Sequence, residues 1–163
     1  MSPVPIVIRP ERPDHAEVRR LLRELDDYLA ALYAPEANHI LDEQALLSPA
    51  VSFFVAEDHG RIVGCGAVRR VPAHAETGLR AYGEIKRMMV DSAQRGRGIG
   101  VQLLGALESV LPVHGIDRAL LETGAAQAAA VRLYERSGYR RRAAFGGYPD
   151  NGLSLFFEKA LAA

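Results

Sequence analysis

The feature that most constrains the fold is a turn rich in glycine and arginine, QRGRGIG at residues 94–100. It follows the apolar run at residues 88–90 and precedes a helical pattern over residues 101–111. A strand that passes through such a turn into a helix directs several backbone N–H groups to one place, where the helix N-terminus favours negative charge. Glycines let the backbone approach a phosphate closely, and Arg95 and Arg97 can add charge-assisted hydrogen bonds. The turn therefore predicts a strand–turn–helix unit with an anion site that a pyrophosphate would fit.

The spacing within this turn excludes two common phosphate-binding motifs. No Lys-Ser/Thr pair follows the last glycine, as a nucleoside-triphosphate P-loop requires, and the GxGxxG spacing of a dinucleotide-binding motif is absent. A glycine-rich connection that binds nothing is the alternative interpretation of the turn alone. The choice between the two depends on the rest of the chain.

Length and composition favour one compact domain. The chain has 163 residues, of which 48% are hydrophobic, enough to bury a sizeable core. Twenty basic residues balance twenty acidic ones, so no overall field would attract nucleic acid or an anionic membrane surface. We therefore expect neither as a partner.

Cysteine, histidine and the N-terminal sequence bear on location and metal binding. The single cysteine, Cys65, rules out an internal disulfide; a buried small side chain is its simplest interpretation, and a reactive thiol is the alternative. The five histidines show no ligand spacing, so no metal site is expected. The N-terminus does not resemble a signal peptide, and no apolar run approaches the ~20 residues of a membrane span. The sequence thus predicts a cytoplasmic protein.

Periodicity predicts alternating strands and helices without a linker or a repeat. Asp14 followed by Glu17 is typical of an N-cap with a capping box, and apolar residues then recur at helical spacing. A strand, a helix and a second strand over residues 82–122 predict a parallel βαβ unit, whose ligand crevice lies at the carboxyl ends of its strands. The predicted strands are 6–9, 53–57, 61–71, 82–90, 118–122, 139–145 and 153–159. The predicted helices follow Asp14 and span 42–47, 99–111 and 125–136.

Three segments together carry a family resemblance. RGRGIG follows the strand end Met-Val-Asp, LETG at residues 121–124 is a second strand end, and AVRLYERSGY at residues 130–139 has the spacing LYxxxGY. With these motifs the chain resembles the GNAT (Gcn5-related N-acetyltransferase) family over about residues 52–159. The resemblance implies an α/β fold with a single N-acetyltransferase domain over residues 1–163. Its sheet would be mixed and mostly antiparallel, with a central parallel βαβ unit and flanking helices.

The resemblance also implies acetyl-CoA as co-substrate and indicates its contacts. In the family, the strand backbone before the turn pairs with the pantetheine arm, sometimes across a bulge, and the turn holds the pyrophosphate. Gln127 stands where many members have a coenzyme-binding asparagine, and its amide can still donate hydrogen bonds. The expected coenzyme-binding residues are Met88, Met89, Val90, Arg95, Gly96, Arg97, Gly98, Ile99, Gly100 and Gln127.

Three residues are candidates for the chemistry. Acetyl transfer from a thioester to an amine requires a neutral amine and a proton for the departing thiolate. The LYxxxGY resemblance implies that Tyr134 donates this proton, with a core tyrosine as the alternative. Glu122, at a strand end, matches a base position in some members, and Glu84 on the preceding strand is the second candidate base. Either could act through water, and the sequence leaves the choice open.

The surroundings of these carboxylates add one expectation and one alternative. By strand alternation, Glu84 should share a face with Lys86 and Met88. Certain family members carry a strand glutamate where this chain has Lys86, so direct base catalysis from that position is not expected. The alternative for either glutamate is a solvated carboxylate at a strand end or a structural ion pair with Lys86 or Arg87.

The predicted function is acetyl-CoA-dependent N-acetyl transfer, made directly to a primary amine of a small molecule. Two alternatives stay open: a protein or peptide N-acetyltransferase, and a non-catalytic acyl-CoA-binding module. The acceptor pocket is expected to draw on Tyr28, Tyr33, His39 and the loop before Tyr82. A homodimer is also left open.

Overall fold

The computed structural model describes residues 5–35, 40–74 and 80–162. The helices are α1 (Ala16–Leu32), α2 (Glu43–Leu46), α3 (Ile99–Ser109) and α4 (Ala128–Arg136). The strands are β1 (Val7–Pro10), β2 (Val51–Asp58), β3 (Arg61–Val71), β4 (Tyr82–Val90), β5 (Arg118–Gly124), β6 (Arg140–Arg141) and β7 (Ser154–Ala160). This succession of strands and helices is the one that periodicity predicts.

The strands form one sheet in the order β1-β2-β3-β4-β5-β7-β6. Only β4 and β5 run parallel, and every other neighbouring pair is antiparallel, which confirms the mixed, mostly antiparallel sheet. The parallel pair is short: it joins Gly83 to Ala119 and Glu84 to Leu120, near the start of each strand. Beyond these residues the two strands no longer pair, and a crevice lies between their carboxyl ends.

A β-bulge interrupts β4 at the edge of this crevice. Lys86 lies opposite Ala67 and Met89 opposite Cys65, so β4 contains one extra residue relative to β3. Arg87, within the bulge, has a φ of +58°, a left-handed conformation that residues other than glycine rarely adopt. An inserted residue shifts the side-chain alternation of every position that follows it.

The bulge makes one expectation about β4 wrong. Lys86 shares the face of Ala67, which packs toward α1 and α2, whereas Met88 packs on the other face with Leu104 and Leu107 of α3. Met88 therefore does not share a face with Lys86 and Glu84. Strand alternation predicts faces correctly only where the ladder has no inserted residue.

The two faces of the sheet are covered by different elements. Apolar residues of α1 and α2 pack on β2 and β3 on one face, and Cys65 is fully buried there, as its simplest interpretation expects. Helices α3 and α4 cover the opposite face with Leu104, Leu107 and Tyr134. Burial of these apolar side chains is the main favourable contribution to folding.

Two local predictions differ from the structure. Asp14 does not cap α1: its carboxylate binds Arg12, and the N-cap is His15, whose Nδ1 accepts the Glu17 N–H at 3.1 Å. The strand predicted over 139–145 is only two residues long, because Phe145 leaves the sheet edge and packs on Tyr82. Gly146 and Gly147 follow with positive φ and turn the chain back over the sheet.

Candidate active site

The turn before α3 forms an open cradle. Gly96 and Gly98 have φ values of +85° and +76°, and a Cβ built on either would meet no atom within 4 Å. The first intrahelical hydrogen bond of α3 runs from the Gln102 N–H to the Gly98 carbonyl, at 3.1 Å. Nothing in the described parts of the chain accepts from the N–H groups of residues 98–101. These groups and the helix dipole are suited to an anion.

Gly100 has a different role from the two glycines before it. A Cβ at this position would come within 3.0 Å of the Leu133 side chain on α4. The absence of a side chain therefore lets α3 and α4 approach each other, which forms the floor of the site. Sequence reasoning assigned all three glycines to anion approach, and the structure separates this one from the others.

A groove of about 430 Å³ extends from the cradle between the end of β4 and α4, and is called the α3 groove below. Nine of the ten residues predicted to bind the coenzyme line it: Met88, Met89, Val90, Arg95, Gly96, Gly98, Ile99, Gly100 and Gln127. Tyr28 of α1 lines it too, although the sequence suggested this residue for the acceptor pocket.

The tenth predicted residue, Arg97, is directed elsewhere. Its Nη1 lies 2.9 Å from Oδ2 of Asp58, the last residue of β2, and also contacts Gln94. This guanidinium lowers the pKa of Asp58. Arg136, in the last turn of α4, lines the groove instead and was missed by sequence reasoning. Its spacing from Ala129 and Leu133, which also line the groove, follows one helix face and could have indicated it.

A smaller cavity of about 100 Å³, called the β5 cavity, opens beside the groove in the β4–β5 crevice. Its lining comes from α1, β4, β5, α4, the start of β7 and the segments between them: Leu25, Leu29, Tyr33, Ile40, Ile85, Lys86, Arg87, Met88, Glu122, Thr123, Gly124, Gln127, Tyr134, Leu153 and Ser154. Four residues line both spaces, so the two meet there: Leu25, Met88, Gln127 and Tyr134.

Tyr134 lies at this junction. Its side chain is buried, and its ring packs on Tyr139 and Phe157 with centroid distances of 5.9 and 6.4 Å. Burial, and to a smaller degree the charge of Glu122, raise the pKa of Tyr134 above its ordinary value. The hydroxyl therefore keeps its proton at neutral pH. The residue belongs to the core and also borders both spaces.

The two candidate glutamates lie in different surroundings. Glu122 is half-buried, lines the β5 cavity and accepts a hydrogen bond from Ser154 Oγ at 2.6 Å. Glu84 is only 1% exposed and lies 2.7 Å from Arg69 and 3.6 Å from Lys86, in ion pairs. It also accepts from the Tyr148 hydroxyl, and it is not among the residues that line the cavity. The structure thus brings Glu122, not Glu84, next to Tyr134.

Of the residues that the sequence suggested for the acceptor pocket, some line the β5 cavity and others lie outside the described residues. Tyr33 lines the β5 cavity; its hydroxyl accepts the Ala126 N–H at 3.2 Å, and its ring occupies the place that a Cβ on Gly124 would need. His39 and residues 75–79 of the loop before Tyr82 lie outside the described residues. Ile40 and Leu153 complete the cavity wall and were not anticipated, because no short motif contains them.

A sheet that splays at one parallel pair, with an anion cradle at the crevice, defines the class of protein. The chain belongs to the Acetyltransferase (GNAT) family, whose profile matches residues 17–139. It is 43% identical over 156 residues to an IAA acetyltransferase of Azospirillum brasilense, which covers 96% of this chain and 98% of that protein. The chain is accordingly a GNAT-type N-acetyltransferase.

Solved structures agree with this assignment. A Klebsiella pneumoniae protein, for which acyl-CoA N-acyltransferase activity has been proposed, is 34% identical and superposes with a TM-score of 0.77 over 96% of this chain and 98% of that one. The paia N-acetyltransferase of Thermoplasma acidophilum, solved with coenzyme A, has a TM-score of 0.74 over 96% and 99% of the two chains. Its sequence identity is 17%, so this likeness concerns the fold alone.

No helix in the described ranges combines the length and apolar character needed to cross a membrane. Among the same residues, no group of three or more histidine, cysteine or acidic side chains is arranged to hold a metal ion.

Proposed function

We propose that this protein transfers the acetyl group of acetyl-CoA directly to a primary amine of a small molecule. The observation that carries the proposal is the junction of the α3 groove and the β5 cavity at Tyr134. A coenzyme with its pyrophosphate on the cradle would extend along β4 and bring its thioester to this junction. An amine in the cavity would then meet the thioester without a covalent enzyme intermediate.

The reaction forms a C–N bond, breaks the C–S bond and moves two protons. Tyr134, protonated at neutral pH, would give one proton to the departing sulfur. Glu122 would accept a proton from the incoming ammonium, directly or through water, because it is the acidic side chain among the described residues that line the cavity. Glu84, paired with Arg69 and Lys86, is better suited to a structural role.

Two observations support a small acceptor over a peptide. The β5 cavity, at about 100 Å³, is closed on one side by Tyr33, which bridges the end of α1 to the β5–α4 turn. The name of the Azospirillum brasilense relative, IAA acetyltransferase, also supports a small molecule. Cytoplasmic location and a homodimer stay predictions.

The test is a measurement of CoA release from acetyl-CoA with amino acids, polyamines, aminoglycosides and peptides as acceptors. A thiol reagent can follow the reaction, since Cys65 is fully buried and burial raises its pKa to about 12. We expect acetylation of small amines. Preferential acetylation of peptides would favour the peptide alternative, and coenzyme binding without turnover on any amine would favour a binding module.

A further inference from the structure

Two cationic side chains in the wall of the β5 cavity have no part in the proposed acetyl transfer. Lys86 and Arg87, on β4, both line the cavity, and their side chains are only 10% and 6% exposed. Ion desolvation is costly, so two adjacent cations buried at a ligand cavity need an explanation. The bulge at Arg87 supplies part of it, because the inserted residue directs this side chain toward α1 and the cavity.

Both cations have partners of their own, and one polar atom of Arg87 has none in the described part of the chain. Lys86 lies 3.6 Å from Glu84, which also pairs with Arg69, and its ammonium donates to the Tyr148 hydroxyl at 2.7 Å. Arg87 pairs with Asp26 at 2.6 Å, but its Nε is buried without a hydrogen-bond partner among the described residues. A ligand carboxylate in the cavity would supply the acceptor that this Nε lacks.

The opposite wall has the opposite sign. Glu84 of β4 pairs with Leu120 of β5 in the sheet. Two residues further along each strand stand Lys86 on β4 and Glu122 on β5. The carboxylate and the ammonium therefore face the same crevice from corresponding positions on its two strands. A ligand with an ammonium near Glu122 and a carboxylate near Lys86 and Arg87 would match both walls.

Apolar side chains form the side of the cavity away from the sheet. They are Leu25 and Leu29 of α1, Tyr33 directly after this helix, Ile40 and Leu153. Ile40 and Leu153 are 40% and 47% exposed, so they offer apolar surface that a ligand could cover. Apolar contact of this kind favours binding of an apolar side chain.

We infer that the acceptor is an α-amino acid with an apolar side chain, whose carboxylate is bound by Lys86 and Arg87. The inference rests on the proposed function, since it names the substrate class of the same site. The amine nitrogen forms a bond to the acetyl carbon while the C–S bond breaks. Of the two protons that the ammonium loses, one goes through Glu122 to solvent, and the other restores to Tyr134 the proton that its hydroxyl gives to the thiolate. The products are the N-acetyl amino acid and CoA.

The experiment compares each free amino acid with its amide, using L-leucine with L-leucinamide and L-phenylalanine with L-phenylalaninamide. The carboxylate raises the pKa of the neighbouring amine, so the amide has the larger neutral fraction. A preference for the free acid cannot then arise from amine basicity. We expect kcat/KM to be about ten- to a hundredfold higher for the acid, the range for a hydrogen bond to a charged group.

Lys86→Gln tests the residue itself. We expect this variant to lose activity on L-leucine while keeping its activity on L-leucinamide, and Lys86→Arg to restore the preference. A general folding defect would lower both activities together. Lys159→Gln is the matched control, because Lys159 is the only other lysine and pairs with Glu108 at 2.8 Å outside the cavity.

Calorimetric titration of the enzyme–CoA complex with L-leucine and L-leucinamide separates the two proposals. Turnover of other amines with no preference for a carboxylate, or equal losses for acid and amide in Lys86→Gln, overturns the inference and leaves the proposed function standing. Carboxylate-dependent binding without acetylation of any amine overturns the proposed function and supports the carboxylate site. Absence of both binding and turnover of amino acids overturns the inference.

Discussion

The α3 groove and the β5 cavity share four lining residues, Leu25, Met88, Gln127 and Tyr134, but are built in different ways. The groove relies on backbone: glycines with positive φ, unpaired N–H groups and a helix N-terminus, most of them within residues 94–101. The cavity relies on side chains from five separate helices and strands and from the segments between them. A site built from backbone groups is suited to one constant ligand. A site built from side chains can acquire a different ligand when those side chains are substituted.

The junction should show the largest effect. A general acid contributes about 10²–10⁴-fold, so Tyr134→Phe should lower kcat by that factor and leave coenzyme affinity almost unchanged. Because the pKa of Tyr134 is raised, its hydroxyl stays protonated over this range. We therefore expect the loss of kcat to be the same at every pH between about 7 and about 9. Steady-state kinetics and coenzyme titration check this. Wild-type turnover in the Phe variant would assign the proton to another donor.

Glu122→Gln should have the next largest effect on kcat/KM, and it changes a residue of the β5 cavity rather than of the α3 groove. The loss of kcat/KM should be greatest at low pH, where neutral amine is scarce, and should shrink as the pH approaches the pKa of the amine, about 8–10. A pH profile for a single acceptor measures it. A flat, wild-type profile would contradict a relay through Glu122.

Glu84→Gln is the matched comparison for that variant. Removing one partner of a buried ion-pair cluster costs about 3 kcal/mol or more, so this variant should lose stability more than it changes the shape of the pH profile. Denaturant unfolding beside the kinetics separates the two effects. A pH-dependent rate loss confined to Glu84→Gln would reverse the order of the two glutamates.

The two glycines of the groove should respond differently to valine. An L-residue in left-handed backbone costs about 1–2 kcal/mol, so Gly98→Val should disfavour the backbone conformation that forms the cradle and weaken coenzyme binding about tenfold. Gly100→Val would press on Leu133, which should cost about 1–3 kcal/mol of stability. Calorimetry and thermal unfolding of both variants decide. Wild-type affinity in a folded Gly98→Val protein would remove the cradle from the coenzyme site.

The smallest expected effects are those of the two arginines of the turn on coenzyme affinity, and the two variants should differ from each other. Arg95→Ala should weaken coenzyme binding by about 1.5–3 kcal/mol, the range for a hydrogen bond to a charged group. Arg97→Ala should weaken it less, because Arg97 contacts Asp58 rather than the groove. Affinities measured side by side at two salt concentrations test the order. The reverse order would show that Arg97 leaves Asp58 when the coenzyme binds.

The sequence by itself determined the groove. A contiguous turn, a strand end and the LYxxxGY motif specify it, because backbone conformation and helix polarity depend on residues that are neighbours in the chain. Periodicity likewise predicted the order of strands and helices and the parallel pair. His15 rather than Asp14 as the N-cap shows the local limit, since Arg12 competes for the aspartate.

Only the tertiary structure decided the cavity and the roles around it. The bulge at Arg87 moved Met88 to the other face, the Arg69 pair separated Glu84 from Glu122, and the fold brought Leu153 and Ile40 to one wall. Contacts of this kind join residues that are 15 to more than 100 positions apart. They arise from packing and from the pairing of buried charges, which depend on distance in space and leave no fixed spacing in the chain.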